Sequence, residues 1–260
     1  MDLVPKVIDG AAALSLIPIS VLVGAGMLIV FRHTSNQQAI RQVKNRLWAH
    51  LMELRLFSDE PALVWRAHQD LLAANLRYLA LMLRPALVLA LPMILLFVNL
   101  EAFYGRAPLT PGRTSLVTMQ LAGRLDPAAP APELQAPAHV AVETEAVRAV
   151  VSGQVSWRIR PLAPGSGSLR VVLPEGTVEK TVVAGEGMRY LAQRRVRSLA
   201  GLLWHPGEKP LANRRVDWIE VRYPPAKVRW LGLELHWAVW LVALSTAAAL
   251  LLRNRFRVAF

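Results

Sequence analysis

The stretch LRPALVLALPMILLFVNLE (residues 83–101) decides the fold. No charged side chain lies between Arg84 and Glu101. The apolar run from Pro85 to Leu100 is close to the ~20 residues that cross a hydrocarbon core of ~30 Å. Glu101 is therefore expected at an interface. Two other stretches share this character. Ala11 to Phe31 is uncharged and rich in Leu, Ile, Val and Ala. Trp237 to Leu252 is also uncharged; it follows Trp230 and His236, carries Trp240, and stops at Arg253. Tryptophans gathered at one end of an apolar run suit a membrane–water boundary. The first stretch is expected to be an anchor and not a cleaved signal peptide. Its only preceding basic residue is Lys6, its apolar part is too long, and Arg32 and His33 follow directly.

Composition agrees with a membrane chain. The 260 residues are 54% hydrophobic and 18% charged, and the mean hydropathy is +0.33, more apolar than an average soluble domain. There is no cysteine, so disulfides and thiolate metal sites are excluded. The net charge of +12 is compatible with anionic lipid or ribosomal partners, and no specific DNA binding is expected.

The distribution of that charge sets the expected topology. Arg32, Arg41, Lys44, Arg46, Arg55, Arg66, Arg77 and Arg84 lie between the first two apolar runs, and Arg253, Arg255 and Arg257 follow the third. Short basic loops stay in the cytoplasm. The expected order is an extracytoplasmic N-terminus (1–10), a span (11–31), a cytoplasmic helical hairpin (32–84) and a second span (85–104). An extracytoplasmic domain (105–229), a third span (230–252) and a basic cytoplasmic tail (253–260) follow. A prokaryotic inner membrane is the expected location.

In the hairpin region, Ile40, Val43, Leu47, Leu51 and Leu54 form one helical stripe, and Val64, Ala67, Leu71, Ala74 and Tyr78 form a second. Ser58 or Asp59 is expected to cap the second helix, with Pro61 in its first turn. The two helices should pair antiparallel, as a coiled coil with its charges in water.

From about Thr114 the periodicity becomes that of strands. Ser115–Leu121, His139–Val142, Val155–Ile159, Leu169–Leu173, Thr177–Val183 and Val216–Arg222 are expected strands of a small antiparallel sandwich. Asp126–Pro137 reads as a proline-rich connection, Pro161–Ser168 as a turn, and Arg189–Leu203 as a basic helix. No nucleophile, phosphate-loop or zinc motif occurs, and His139 and His205 lack ligand spacing. The chain is expected to be no enzyme and to take no cofactor or metal.

Arg84-Pro85 leading into Leu91-Pro92-Met93 and Phe97, a basic hairpin between two spans, and the stop Leu252-Arg253-Asn254-Arg255-Phe256-Arg257-Val258 resemble the YidC/Oxa/EMC membrane insertase superfamily. The archaeal YidC-like and EMC-type branch is the most similar, and Trp230-Leu231-Gly232-Leu233 resembles the approach to that family's last span. The resemblance covers residues 1–104 and 230–260; the relatives have only a short connection where this chain has residues 105–229. It implies a partly open bundle whose polar groove guides hydrophilic segments of client proteins across the bilayer. The residues expected to serve that groove are Ser15, Ser20, Asn99, Ser245 and Thr246, with Arg32 and Arg84 at its cytoplasmic mouth. The alternative for the hydroxyls is a bond to their own helix or a close helix contact. Gly24 and Gly26 are expected to permit close packing, and Pro18 and Pro92 to kink their helices. Expected partners are membrane lipids, client proteins or nascent chains, and the ribosome through the hairpin and tail. The other function carried forward is an accessory subunit of a membrane complex that binds partners through residues 105–229.

The topology is directly testable because the chain has no cysteine. A cysteine at Asn45 should resist a membrane-impermeant thiol reagent in intact cells, and one at Ser166 should react. Labelling at 45 with protection at 166 would invert the orientation.

Overall fold

The computed structural model describes residues 5–8, 10–56, 61–126 and 128–256. Among them, three helices are long and apolar enough to cross a membrane, and a β-rich region accompanies them. The chain divides into two units: residues 15–94 with 239–260, and residues 1–14 with 95–238.

The helical unit begins in α1 (Gly10–Thr34), an uninterrupted 25-residue helix that includes Pro18. It ends at a polar corner. Thr34 and Ser35 hydroxyls donate to the carbonyls four residues back, and the Asn36 side chain accepts the Ala39 N–H at 3.0 Å. Asn36 thus caps α2 (Gln37–Leu56). The next helix, α3 (Pro61–Tyr104), has 44 residues and a length of ~66 Å. The expected boundary between hairpin and second span at Arg84-Pro85 is therefore not a break. A proline deletes one helical hydrogen bond, and a long apolar helix absorbs that loss at both Pro85 and Pro92. Ile40 and Val43 are buried, Leu47, Leu71, Ala74 and Tyr78 are half-buried, and Arg41 and Arg66 are exposed, as the two stripes require. Leu51 departs from its stripe and is exposed. Ser58 and Asp59, the expected caps, and Arg257 in the tail lie outside the described residues.

The third apolar helix, α5 (Trp237–Phe256), starts later than expected. Before it lie two strands, β11 (Ala226–Trp230) and β12 (Leu233–Leu235), in place of a span expected from residue 230. Leu231 and Gly232 both have positive φ, 51° and 79°, so the chain reverses and Trp230 pairs with Leu233. A short strand at the N-terminus, β1 (Lys6–Ile8), adds to β11 in parallel.

The rest of the β-rich unit is built on two sheets. One holds β2 (Ser115–Leu121), β4 (Val140–Val142), β5 (Val147–Ala149), β6 (Gln154–Pro161), β9 (Arg194–Val196) and β10 (Val216–Val221), in the order β4-β6-β2-β10-β9 with β5 also on β6. The other holds β3 (Glu133–Gln135), β7 (Gly165–Leu173) and β8 (Gly176–Ala184), in the order β3-β7-β8. Alternate residues point inward: Val117, Met119, Val155, Trp157 and Ile159 from the larger sheet meet Leu169, Val171, Val178 and Val182 from the smaller in one core. Three expectations change here. The Asp126–Pro137 connection contains β3, and the Pro161–Ser168 turn tightens to residues 162–164 between β6 and β7. The basic stretch Arg189–Leu203 is no single helix but β9 followed by α4 (Leu199–Trp204). The free edge of β10 takes Arg194–Val196 as a partner strand, and Arg194 and Arg197 find carboxylates on Glu220 and Asp217 across that ladder.

Lys180 on β8 is fully buried. Its Nζ donates to Glu208 Oε1 at 2.7 Å and to the Ala192 carbonyl at 2.6 Å. Burial lowers its pKa, which the neighbouring Glu208 carboxylate opposes. This pair fastens the chain around residues 192 and 208 onto β8. Glu208→Ala should leave an uncompensated buried ammonium and destabilise the β-rich unit by ~3–5 kcal/mol, read by denaturant unfolding followed through tryptophan fluorescence. Arg170→Ala, which removes the exposed pair with Glu179, should change stability by less than ~0.5 kcal/mol. Equal effects would refute the assignment.

Candidate functional site

In the helical unit, Leu16, Ser20, Gly24 and Leu28 recur every four residues along α1, and all are buried. This face meets α5. A Cβ built on Gly24 would lie 2.6 Å from the Ser245 carbonyl oxygen and 3.3 Å from the Ala248 Cβ, so only glycine fits. Small residues let two helices approach in this way where lipid provides no hydrophobic drive between them. Gly26 has nothing within 4 Å of its Cβ position and is no part of the contact, contrary to expectation.

Beside this contact lies a cavity of about 400 Å³. Met27, Leu28 and Phe31 of α1, Leu89 of α3, and Ser245, Thr246, Ala249 and Leu250 of α5 line it. Its wall is apolar except for the two hydroxyls. Ser245 is buried and its Oγ donates to the Val242 carbonyl at 3.2 Å, while Thr246 is exposed.

The sequence-predicted residues do not all come together. Ser245 and Thr246 line the cavity. Ser20 shares the buried face of α1, and its Oγ is fully buried with no hydrogen-bond partner, an uncommon state for a polar atom. Arg32 is exposed directly after the lining residue Phe31, and Arg84 is exposed five residues before the lining residue Leu89. Ser15 is half-buried and outside the lining. Asn99 is exposed, and its side chain donates to the Leu95 carbonyl at 2.9 Å, so it closes on its own helix. The cavity that Ser245 and Thr246 line is apolar with a hydroxyl edge. Met27, Phe31, Leu89 and Leu250 escaped sequence reading because every neighbour in an apolar span is apolar too.

The β-rich unit carries a second concavity, of about 700 Å³, on the outer face of the larger sheet. Arg194 lies over the Trp218 ring, 4.2 Å from its centroid, and donates from Nε to Glu220 Oε2 at 2.8 Å. Gln193 donates to the other oxygen of Glu220 at 2.8 Å. Arg106, Thr118, Gln154 and Arg222 complete a polar lining. His139 packs its ring within 3.1 Å of the Cβ position of Gly165, and the His205 N–H donates to the Gly201 carbonyl at the end of α4. Burial, with the nearby Arg194 charge, lowers the His205 pKa.

No family model, characterised protein or solved structure matches this chain. What defines its class is the set of three helices with the length and apolarity of membrane spans, joined to a β-rich unit.

The glycine contact yields a paired prediction. Gly24→Leu should force α1 away from α5 and cost ~2–4 kcal/mol through overpacking; Gly26→Leu should be tolerated. Thermal unfolding of the detergent-solubilised protein measures both, and equal sensitivity would remove the contact from the account.

Proposed function

We propose that this protein is an insertase-like membrane chaperone that shelters a client segment beside its spans. The observation that carries this reading is the cavity bounded by α1, α3 and α5, with Ser245 and Thr246 on its wall and Arg32 and Arg84 near two of its lining residues. In hydrocarbon an unpaired polar group costs several kcal/mol. A cavity that offers hydroxyls on an otherwise apolar wall lowers that cost for a client segment that is mainly apolar with a few polar groups. The arginines attract acidic residues flanking such a segment. The orientation that suits this reading has the α2–α3 hairpin in the cytoplasm and the β-rich unit outside, with an antiparallel pairing of the hairpin helices. The resemblance to the YidC/Oxa/EMC superfamily supports the same reading at the level of architecture. Client proteins or nascent chains are the partners, with the ribosome approaching the basic hairpin.

The polar concavity around Arg194 and Trp218 favours a second reading, an accessory subunit that holds a partner through its β-rich unit. One experiment separates the two. Arg106 and Pro225 are bridged, so residues 107–224 can be replaced by a short Gly/Ser linker without separating the flanking chain ends. Insertion of a client with an acidic flank into proteoliposomes should survive this excision and fall at least ~tenfold in Arg32→Glu with Arg84→Glu. An indispensable β-rich unit with a harmless charge reversal would support the accessory subunit.

A further inference from the structure

The β11–β12 hairpin presents an apolar tip that neither sheet covers. Leu231 is 77% exposed and Leu233 55% exposed. Leu231 also holds φ 51°, followed by Gly232 at 79°, in a two-residue turn that ordinarily selects Asn-Gly. An exposed leucine in a backbone conformation it disfavours has no reason within the folded chain.

We infer that the tip Trp230-Leu231-Gly232-Leu233 is a membrane-dipping finger that inserts into the bilayer beside the outer end of α3. The base of the hairpin is fixed to that end: the Ala226 N–H donates to the Gly105 carbonyl at 3.0 Å, and Arg106 bridges Pro225. Val228, two residues on, pairs with Leu235. Two residues past Leu235, the Trp237 indole donates to Glu101 Oε2 at 2.8 Å and packs 5.3 Å from the Phe97 ring. Because β12 runs antiparallel to β11, Trp237 lies back at the level of Ala226, and both legs of the hairpin root where α3 ends and α5 begins. From Ala226 to Trp230 a strand advances ~13 Å, so the tip stays within about that distance of the ends of two apolar helices. The Arg229–Glu234 ion pair sits one step behind the tip, where headgroups would receive it. A charged collar behind an apolar tip, with an interfacial tryptophan, is the pattern of a segment held at a bilayer surface. The partner is the lipid itself.

Spin labels placed in the cysteine-free chain test this in full-length protein reconstituted in phosphatidylcholine/phosphatidylglycerol bilayers. Leu231→Cys is compared with Val151→Cys, on an 88% exposed turn of the β-rich unit, and Leu251→Cys, 82% exposed on α5. The label at 231 should show oxygen accessibility like that at 251, and accessibility to a water-soluble nickel chelate roughly threefold or more below that at 151. Leu231→Asn suits the turn better and preserves the fold; with it, a label on Leu233→Cys should move outward towards water. Nickel accessibility at 231 equal to that at 151 would overturn the proposal. So would protection from both probes with spin–spin broadening, which would assign the tip to a second copy of the chain.

Discussion

Gly24 of α1 lies so close to the Ser245 carbonyl of α5 that no larger residue fits, and the arrangement of the helical unit depends on that approach. Between membrane helices there is no hydrophobic drive to association, since lipid tails are as apolar as leucine. Dispersion contacts over a short interhelical distance must do the work instead. Ser20 and Gly24 on one helix and Ser245 and Ala248 on the other are small and buried. The larger residues that follow, Met27, Leu28 and Phe31 on α1 and Leu250 on α5, line the cavity. The contact and the cavity are two consequences of one size pattern.

That pattern also shapes what the site can do. On the proposed reading, an apolar wall with Ser245 and Thr246 would favour a segment with the hydropathy of a membrane helix over a strongly hydrophilic one. The buried, unpartnered hydroxyl of Ser20 lies on the same face of α1 and adds a polar atom without a local bond. The proposed chaperone-like role follows from these features and not from catalytic chemistry. The β-rich unit is stabilised independently, by a core drawn from both sheets and by the buried Lys180–Glu208 pair.

The three apolar helices were legible in the sequence because hydropathy over ~20 residues is a property of composition alone. The alternation in β2, β6, β7 and β8 was equally plain, since inward and outward residues differ in polarity. The failures have definite causes. At Arg84-Pro85, where charge gives way to the apolar run, α3 continues, because a proline's lost hydrogen bond does not end so long a helix. Trp230-Leu231-Gly232-Leu233 reads as the approach to a span because apolarity does not distinguish a strand from a membrane helix, and no Asn-Gly marks the turn. The arginines near 194 suggest a helix until the open edge of β10 supplies a strand partner. Hydroxyls stand out in an apolar span, and of those singled out in this way Ser245 and Thr246 line the cavity. Asn99 was found by the same signal, but its amide is spent on the Leu95 carbonyl.

Photo-crosslinking during client synthesis tests the central claim most directly. A benzoylphenylalanine at Leu250 or Leu89, both lining the cavity, should capture the emerging span of a labelled membrane-protein client held at an intermediate length. The same probe at Leu87, exposed on α3 outside the lining, should not. Client adducts of equal yield from Leu87, or none from Leu250 and Leu89, would contradict a cavity that shelters client segments.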